Sequence, residues 1–374
     1  MSKNIVVLSD GTGADGGRNS DSNVYRLFKM LENRTDQQIA FYDRGVGAQS
    51  DSSPFFVPSQ VPWLASFLRQ ISGRGFARNV LDCYKFIFDN YSPGDHIFLF
   101  GFSRGAATVR SVSGFMDLFG VLPKSRPELI GRAFKLYKEP DPGKRKLTAD
   151  EFCKHHHPMW TRIKFLGVWD TVFSVGGPYE WLSVPVNYIS LWRHRFHNLL
   201  LSKSVEHARH ALAIDEKRYA FRPQLWNELD KLKDYQTVSQ VWFTGVHSDI
   251  GGGYDDDQGL ADIPLIWMIK EAQQFGLRLY SSHKVEISPG AEAEKHDSFE
   301  GAWKYLGTKV RSWNLDDPPT VHESVKIRDQ EEPGDSPWIL ADTHSTEPWP
   351  DEHRLSPQRL VGTSGATAAS VPTP

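Results

Sequence analysis

The segment DHIFLFGFSRGAATVR, residues 95–110, restricts the fold more than any other part of this sequence. Four apolar residues, Ile97–Phe100, are followed directly by Gly101, Ser103 and Gly105 in the spacing Gly-x-Ser-x-Gly. Residues that favour a helix come next, so a buried strand has to turn sharply into a helix here. The glycines are needed because the two elements nearly touch, and the serine between them is a candidate nucleophile. A serine in an ordinary structural turn is the alternative.

The segments on either side of this turn predict a parallel sheet. Residues 5–8 form a short apolar run, typical of a buried strand, that ends on the glycine-rich sequence SDGTG. From residue 77 to residue 91 the apolar positions repeat every three or four residues, which predicts a helix, and residues 106–119 predict a second helix. Alternation of helices and strands is typical of an α/β fold. We therefore expect a mostly parallel sheet flanked by helices.

Two later apolar runs also end on polar residues. The run FLGVWD ends at Asp170, and the run VWFTGVH ends at His247. Because parallel strands place their carboxyl ends at one edge of a sheet, where ligands bind, we expect both side chains near Ser103. A nucleophilic serine needs a base, and the base needs an acid that orients it. The chain order Ser, Asp, His accompanies this type of turn, so the sequence predicts a catalytic triad of Ser103, His247 and Asp170.

The acid and the base of this triad each have an alternative. Asp249 lies two residues after His247 and could be the acid, because in an extended chain the two side chains would share a direction. His322, in the sequence PTVHESV, is the first alternative base. Structural roles also stay open, since Asp170 could cap a helix and His247 could be a core histidine.

The glycine-rich loop after the first strand is a candidate oxyanion hole. Backbone N–H groups of Gly11 and Thr12 could point at an oxyanion that develops beside Ser103. The second donor expected for this type of turn is the N–H of the residue after the nucleophile, which is Arg104. An ordinary Asx-turn formed by Asp10 is the alternative for this loop.

The composition excludes several classes of function. Basic and acidic residues number 43 and 46, which gives a formal net charge of −3, and their mixing along the chain leaves no basic face for a nucleic acid. Cys83 and Cys153 are the only cysteines, too few for a disulfide framework. Neither a membrane-spanning run nor a signal-peptide core is visible. We therefore expect a cytoplasmic protein with no nucleic-acid partner and no integral membrane segment.

We also expect neither a metal ion nor an organic cofactor. The three consecutive histidines 155–157 point in different directions on any regular element, and the acidic run 255–257 lacks the spacing of a calcium loop. Calcium held by Asp10, Asp249 and this acidic run stays open as the basis of a metal-assisted phosphodiester hydrolase.

The chain predicts a single large domain, residues 1–354. Residues from about 174 to 235 are rich in aromatic residues and interrupted by prolines, which indicates a cap-like insertion. Its segment 179–192 would line an acyl pocket. Residues 260–277 have helical spacing, whereas residues 355–374 have too few large apolar side chains to order themselves and predict a disordered tail.

Five segments of the chain resemble an α/β-hydrolase domain family of bacteria and fungi whose members include phospholipase effectors of type VI secretion, with catalytic domains of the Tle1-like class. The resemblance implies an α/β-hydrolase fold with Ser103 as the nucleophile. It also implies hydrolysis of esters, with phospholipids among the candidate substrates. The segments are spread from residue 10 to residue 254 and read DGTG, GFSRGAATVR, GVWDTV, ALAIDEKRYAFRP and GVHSDIGGGY.

The leading functional prediction is a serine hydrolase, such as a lipase or phospholipase, that acts on a small-molecule or lipid ester. Ser103 would attack the carbonyl carbon and form an acyl-enzyme, His247 would relay the proton, and Asp170 would hold the imidazole. Two alternatives remain. The first is a binding module that has kept the hydrolase fold without catalysis, and the second is the metal-assisted phosphodiester hydrolase.

Overall fold

A computed structural model of the protein describes residues 2–11, 21–45, 73–172, 200–299, 308–311, 319–331 and 344–351. These residues contain an eight-stranded sheet in which neighbouring strands run parallel. The strands are β1 Asn4–Ser9, β2 Gln38–Asp43, β3 His96–Phe102, β4 Ile163–Trp169, β5 Val205–Ala213, β6 Thr237–Phe243, β7 Thr320–His322 and β8 Ser345–Glu347. Their order across the sheet is β2-β1-β3-β4-β5-β6-β7-β8.

Helices cover both faces of this sheet. On β1, Ile5 and Val7 pack into one apolar cluster with helices on one face, while Val6 and Leu8 pack into a second cluster with helices on the other face. Burial on both faces explains why the strands are continuous apolar runs in the sequence. The predicted fold class is confirmed, and the architecture is that of an α/β-hydrolase-like fold. The helices are α1 Asn23–Met30, α2 Gly73–Asn90, α3 Arg104–Phe119, α4 Leu129–Tyr137, α5 Pro142–His156, α6 His247–Gly251, α7 Gly259–Gln273 and α8 Glu323–Glu331.

The carboxyl edge of the sheet gathers distant parts of the chain. Strands β2 and β3 flank β1 on opposite sides, so the path of the chain reverses across the sheet at β1. Open α/β sheets bind their ligands outside the carboxyl ends of the strands at such a reversal. Ser103 follows β3, Asp170 follows β4, and His247 begins α6 after β6. The fold therefore places all three residues at the same edge.

The predicted cap-like insertion of residues 174–235 is too long at its carboxyl side. Residues 205–213 form β5, which pairs with β4 on one side and β6 on the other. The apolar pattern did not predict this strand, because His207, Arg209 and His210 interrupt its apolar residues. The hydrogen bonds to β4 and β6 stabilise this strand, although its side chains do not show an apolar strand pattern.

Three predicted features lie wholly or partly outside the described residues. They are the first part of the cap, including the aromatic segment 179–192, the tail 355–374, and Thr12. In the described part of the chain, none of the helices combines the length and the apolar character needed to cross a membrane.

The turn between β3 and α3 leaves no space for side chains at its two glycines. A Cβ atom on Gly101 would lie 2.5 Å from the carbonyl oxygen of Gly105. A Cβ atom on Gly105 would lie 2.0 Å from the carbonyl oxygen of Ser9, at the end of β1. Both distances are below any real contact of a Cβ atom with an oxygen, so α3 approaches two strands at once and glycine is required at both positions.

We expect Gly105→Val to prevent folding or to lower the free energy of unfolding by at least about 3 kcal/mol, because backbone atoms would have to move. Gly131→Val is the matched control, since Gly131 is an exposed glycine in α4 with open space around its Cβ position. The control should change stability by no more than about 0.5 kcal/mol. Urea unfolding followed by circular dichroism measures both variants, and a Gly105→Val protein as stable as the control would contradict the packing described for this turn.

Candidate active site

Ser103 lies at the sharpest point of the turn between β3 and α3. Its backbone has φ 56° and ψ −121°, a combination that residues with a side chain rarely adopt. Its N–H donates to the carbonyl oxygen of Trp169 at 3.1 Å, which fixes the turn to the end of β4. Among the described residues other than glycine, only Ser103, His157 and Asp170 have positive φ. Strain of this kind costs on the order of 1–3 kcal/mol and is concentrated at functional sites.

Three side chains form a continuous hydrogen-bonded chain at the sheet edge. The distance from Ser103 Oγ to His247 Nε2 is 2.9 Å, and the distance from His247 Nδ1 to Asp170 Oδ2 is 2.5 Å. All three residues are buried. The structure thus brings together the three residues that the sequence selects, in the arrangement in which an imidazole can take a proton from a serine hydroxyl.

His247 is enclosed by two aromatic rings and, besides Asp170, by the carboxylate of Glu216. The ring of Phe102 lies 4.6 Å from the imidazole centroid, and the ring of Phe221 lies 4.9 Å from it in an edge-on arrangement. The backbone N–H of His247 donates to Glu216 Oε2 at 3.3 Å. Burial lowers the pKa of His247, and the hydrogen bond that its ring donates to Asp170 opposes this effect without reversing it. The imidazole is therefore neutral at neutral pH and available as a base.

Asp170 is the most extensively bonded member of the chain. Its Oδ1 accepts the N–H of Ala213 at 3.2 Å. Arg311 donates through Nη1 to Oδ1 at 2.6 Å and through Nη2 to Oδ2 at 2.8 Å. Burial opposes the charged form, but the Arg311 guanidinium and the His247 bond outweigh burial and hold the pKa of Asp170 well below its usual range. The carboxylate is therefore ionised.

Sequence reasoning did not select Arg311 or Glu216. Arg311 is 141 residues from Asp170 in the chain and lies in a short segment without an apolar run or motif. Glu216 lies in the segment AIDEKRYAF, where it competes with other charged residues, and its side chain is held by Arg218 Nη2 at 2.7 Å. Both residues become recognisable only through the contacts that the fold creates.

The alternative acid, Asp249, does not face His247. Residues 247–251 are helical, so side chains two positions apart point in different directions. Asp249 Oδ2 accepts the N–H of Val246 at 2.9 Å, and Asp249 Oδ1 lies 2.6 Å from His296 Nδ1. Asp249 therefore holds the start of the helix that carries His247.

The alternative base, His322, lies at the end of β7. Its Nδ1 is 2.8 Å from Ser324 Oγ, and its ring stacks on Phe243 with 4.7 Å between centroids. His247, not His322, is the histidine hydrogen-bonded to Ser103.

The candidate oxyanion donors Gly11 and Arg104 lie in different surroundings beside Ser103. Gly11 is close, because a Cβ atom built on it would lie 3.4 Å from Ser103 Cβ. The N–H of Gly11, however, donates to Asp10 Oδ1 at 2.7 Å, so this amide already has a partner within the loop. An Asx-turn at Asp10 would use the N–H of Thr12, which lies outside the described residues. Arg104 directly follows Ser103 and is the first residue of α3.

Asp10 organises the loop that carries Gly11. Besides the Gly11 amide, its carboxylate accepts the hydroxyl of Ser22 and, at 2.6 Å, the hydroxyl of Tyr42. Burial raises the pKa of Asp10 to about 6, although these three donors act against the shift. Asp10 therefore connects the loop after β1 with both α1 and β2.

The acidic residues considered for calcium lie in separate hydrogen-bonded clusters. Asp10 has the partners just described, whereas Asp249 and Asp256 share His296, whose Nε2 is 3.1 Å from Asp256 Oδ1. Within the described ranges, no group of three or more His, Cys, Asp or Glu side chains is arranged to hold a metal ion.

Comparison with known proteins places the chain in a family. Residues 3–271 match the family model described as "T6SS, Phospholipase effector Tle1-like, catalytic domain". The uncharacterized protein YEL023C of Saccharomyces cerevisiae is 29% identical over 232 residues, which are 59% of this chain and 32% of the yeast protein. The chain therefore spans about a third of the length of that relative.

Two solved structures are similar to parts of the chain. An uncharacterized protein from Pseudomonas aeruginosa has a TM-score of 0.43 and 17% identity, over 74% of this chain and 46% of that one. The Tle1 effector bound to the VgrG spike of the type 6 secretion system has a TM-score of 0.36 and 19% identity, over 68% and 52% of the two chains.

The His247 imidazole should titrate with a midpoint below pH 6.5, because burial lowers its pKa. Since a base must be neutral, the competent form is kept as the pH falls to that midpoint and is lost below it. Nitrogen-15 chemical shifts of the histidine side chains measure the titration, and His247→Gln assigns the resonance. A midpoint above pH 6.5 would contradict the enclosed, desolvated environment described for this ring.

Proposed function

Since the chain belongs to the family of Tle1-like catalytic domains of type VI secretion phospholipase effectors, we propose that it is a serine hydrolase that cleaves carboxylic esters of lipids, phospholipids included. Membership supports a hydrolase of the lipase or phospholipase type. The serine mechanism rests on one observation, the hydrogen-bonded chain from Ser103 through His247 to Asp170.

The first half of the proposed reaction forms an acyl-enzyme. Ser103 Oγ attacks the carbonyl carbon of the ester while its proton passes to His247 Nε2. The tetrahedral intermediate then collapses, the C–O bond to the alcohol breaks, and His247 returns the proton to the departing alcohol. In the second half, a water molecule attacks the acyl carbon while its proton passes to His247 Nε2. The bond between the acyl carbon and Ser103 Oγ then breaks, the carboxylic acid leaves, and His247 returns the proton to Ser103 Oγ.

Asp170 has a positioning role in this scheme. Its bond to Nδ1 fixes the tautomer in which Nε2 is free to accept the serine proton. The carboxylate also stabilises the imidazolium that exists between the two proton transfers, without itself becoming protonated. Its low pKa is compatible with this role, because the carboxylate stays charged over the working pH range.

The oxyanion of the intermediate needs hydrogen-bond donors beside Ser103. We assign one donor to the N–H of Arg104, the first N–H group of α3, and the other to the loop of Gly11 and Thr12. The Gly11 amide would have to exchange its bond to Asp10 for a bond to the oxyanion. Donors of this kind contribute on the order of a hundredfold to a thousandfold to turnover.

We expect Ser103→Ala to abolish ester and phospholipid hydrolysis and covalent labelling by a fluorophosphonate probe, because the attacking hydroxyl is removed. Ser113→Ala is the matched control, since Ser113 is a buried serine in α3, the helix that follows Ser103, and its hydroxyl donates to the carbonyl oxygen of Arg110. The control should label and turn over like the wild type. Assays use the full chain with p-nitrophenyl esters and phosphatidylcholine vesicles, and melting temperatures report folding.

Other outcomes of this experiment separate the alternatives. A folded wild-type protein that neither labels nor hydrolyses any ester would identify a binding module. Hydrolysis that survives Ser103→Ala but stops in a chelator would identify a metal-assisted hydrolase. The serine mechanism requires activity that is insensitive to the chelator and lost with Ser103.

We expect Asp170→Asn to lower kcat by about a thousandfold or more, because an amide favours the wrong imidazole tautomer and cannot stabilise the imidazolium. Asp249→Asn should cost far less in kcat and act mainly on stability, since Asp249 bonds His296 and the N–H of Val246. Comparing kcat and melting temperature for the two variants tests the assignment. A folded but inactive Asp249→Asn together with an active Asp170→Asn would reverse it.

A further inference from the structure

Arg311 forms a two-pronged contact with Asp170 that the triad itself does not require. The two nitrogens of its guanidinium bond the two carboxylate oxygens at 2.6 Å and 2.8 Å. Both side chains are almost completely inaccessible to solvent, at 3% and 0% exposure. A parallel pair of charge-assisted bonds fixes the plane of a carboxylate, and planar arginine provides it better than lysine.

Arg311 is attached to the rest of the site by further bonds. Its Nη1 donates to the carbonyl oxygen of Ala213 at 2.7 Å, and its Nη2 donates to the carbonyl oxygen of Phe221 at 2.6 Å. The Phe221 ring is one of the two that enclose His247. The guanidinium therefore connects Asp170 with the end of β5 and with Phe221, whose ring packs against the imidazole.

The segment that carries Arg311 lies beyond residue 271, where the match to the family model ends. It is fixed by the N–H of Lys309, which donates to the carbonyl oxygen of Lys217 at 2.8 Å, and by a bridge between Thr308 and Arg218. The site of the matched region is thus completed by a residue from outside it.

Several charged groups face the Asp170–His247 pair. Arg311 contacts the carboxylate, and Glu216 contacts the backbone N–H of His247. Arg218 is paired with Glu216 at 2.7 Å, which offsets the effect of both on the imidazole. Arg311 is the cation in direct contact with the Asp170 carboxylate.

Resting on the function proposed above, we propose that Arg311 is a positioning residue of this site. Its guanidinium holds the Asp170 carboxylate in the plane that meets His247 Nδ1, and its positive charge keeps the pair from taking up a proton near neutral pH. Removing the charge makes proton uptake easier, whichever of the two side chains carries the proton. Replacing the guanidinium by an ammonium group removes the planar pair of donors, which disturbs the orientation of the Asp170 carboxylate but leaves the positive charge in place.

We expect Arg311→Gln to raise the midpoint of the His247 titration by about one pH unit or more, the size of effect a charge at this distance produces. Arg311→Lys should leave the midpoint of the His247 titration near its wild-type value, because the positive charge is kept. It should lower kcat by at least about tenfold with little change in KM, because the two parallel donors that orient the Asp170 carboxylate are lost. Nitrogen-15 titration and ester hydrolysis measure the two effects in the full chain.

Arg26→Gln is the matched control, since Arg26 forms an equally buried pair with Asp262 at 2.5 Å. It should lower the melting temperature without moving the His247 midpoint. If Arg311→Gln behaves in the same way, or if Arg311→Lys keeps the wild-type kcat, Arg311 is a structural residue and the proposal is wrong. The titration needs no turnover, so it tests Arg311 even if the chain proves not to be an esterase.

Folding of the variants is itself a test. Arg311→Gln leaves the Asp170 charge buried without its cation, so it could fail to fold. Asp170→Asn combined with Arg311→Gln removes both charges, and we expect this double variant to be more stable than Arg311→Gln alone. A double variant that is no more stable would show that Arg311 acts through Ala213 and Phe221 instead of through Asp170.

Discussion

The buried negative charge of Asp170 is the constraint on which the rest of the site depends. An isolated carboxylate in a protein interior costs several kcal/mol unless charge and hydrogen bonds compensate it. Here the compensation comes from Arg311, from the N–H of Ala213 and from His247, which belong to three separate parts of the chain. The position of Asp170 is therefore correct only when β4, β5, α6 and the segment around residue 310 are all in place.

A second constraint is the absence of space at the turn that carries Ser103. Gly105 touches the end of β1, and Asp10, the residue after that strand, bonds α1 and β2 through its carboxylate. Ser103 itself is tied to the end of β4 by its N–H. Ser103 is thus held by neighbours on both sides, which explains how its strained backbone conformation is retained.

Ser103, Asp170 and His247 could be predicted because each follows an apolar strand, and parallel strands place such ends at one edge. The choice of Asp170 over Asp249 could not be predicted from spacing alone, because it depends on whether residues 247–251 are extended or helical. β5 escaped prediction because polar residues interrupt it. Arg311 could not be predicted for a different reason: it contacts a residue 141 positions away in the chain, and a single arginine at that distance forms no local sequence pattern.

The position of Arg311 in the chain has a consequence for biosynthesis. A ribosome completes Ser103, Asp170 and His247 well before it reaches residue 311, and domains fold as their segments emerge. Until that residue arrives, Asp170 lacks the cation that compensates its charge and has reason to stay hydrated. The nascent chain can therefore form most of the sheet while Ser103 is still without an ordered Asp170 and His247 beside it, and the site is completed only when the last strands are made.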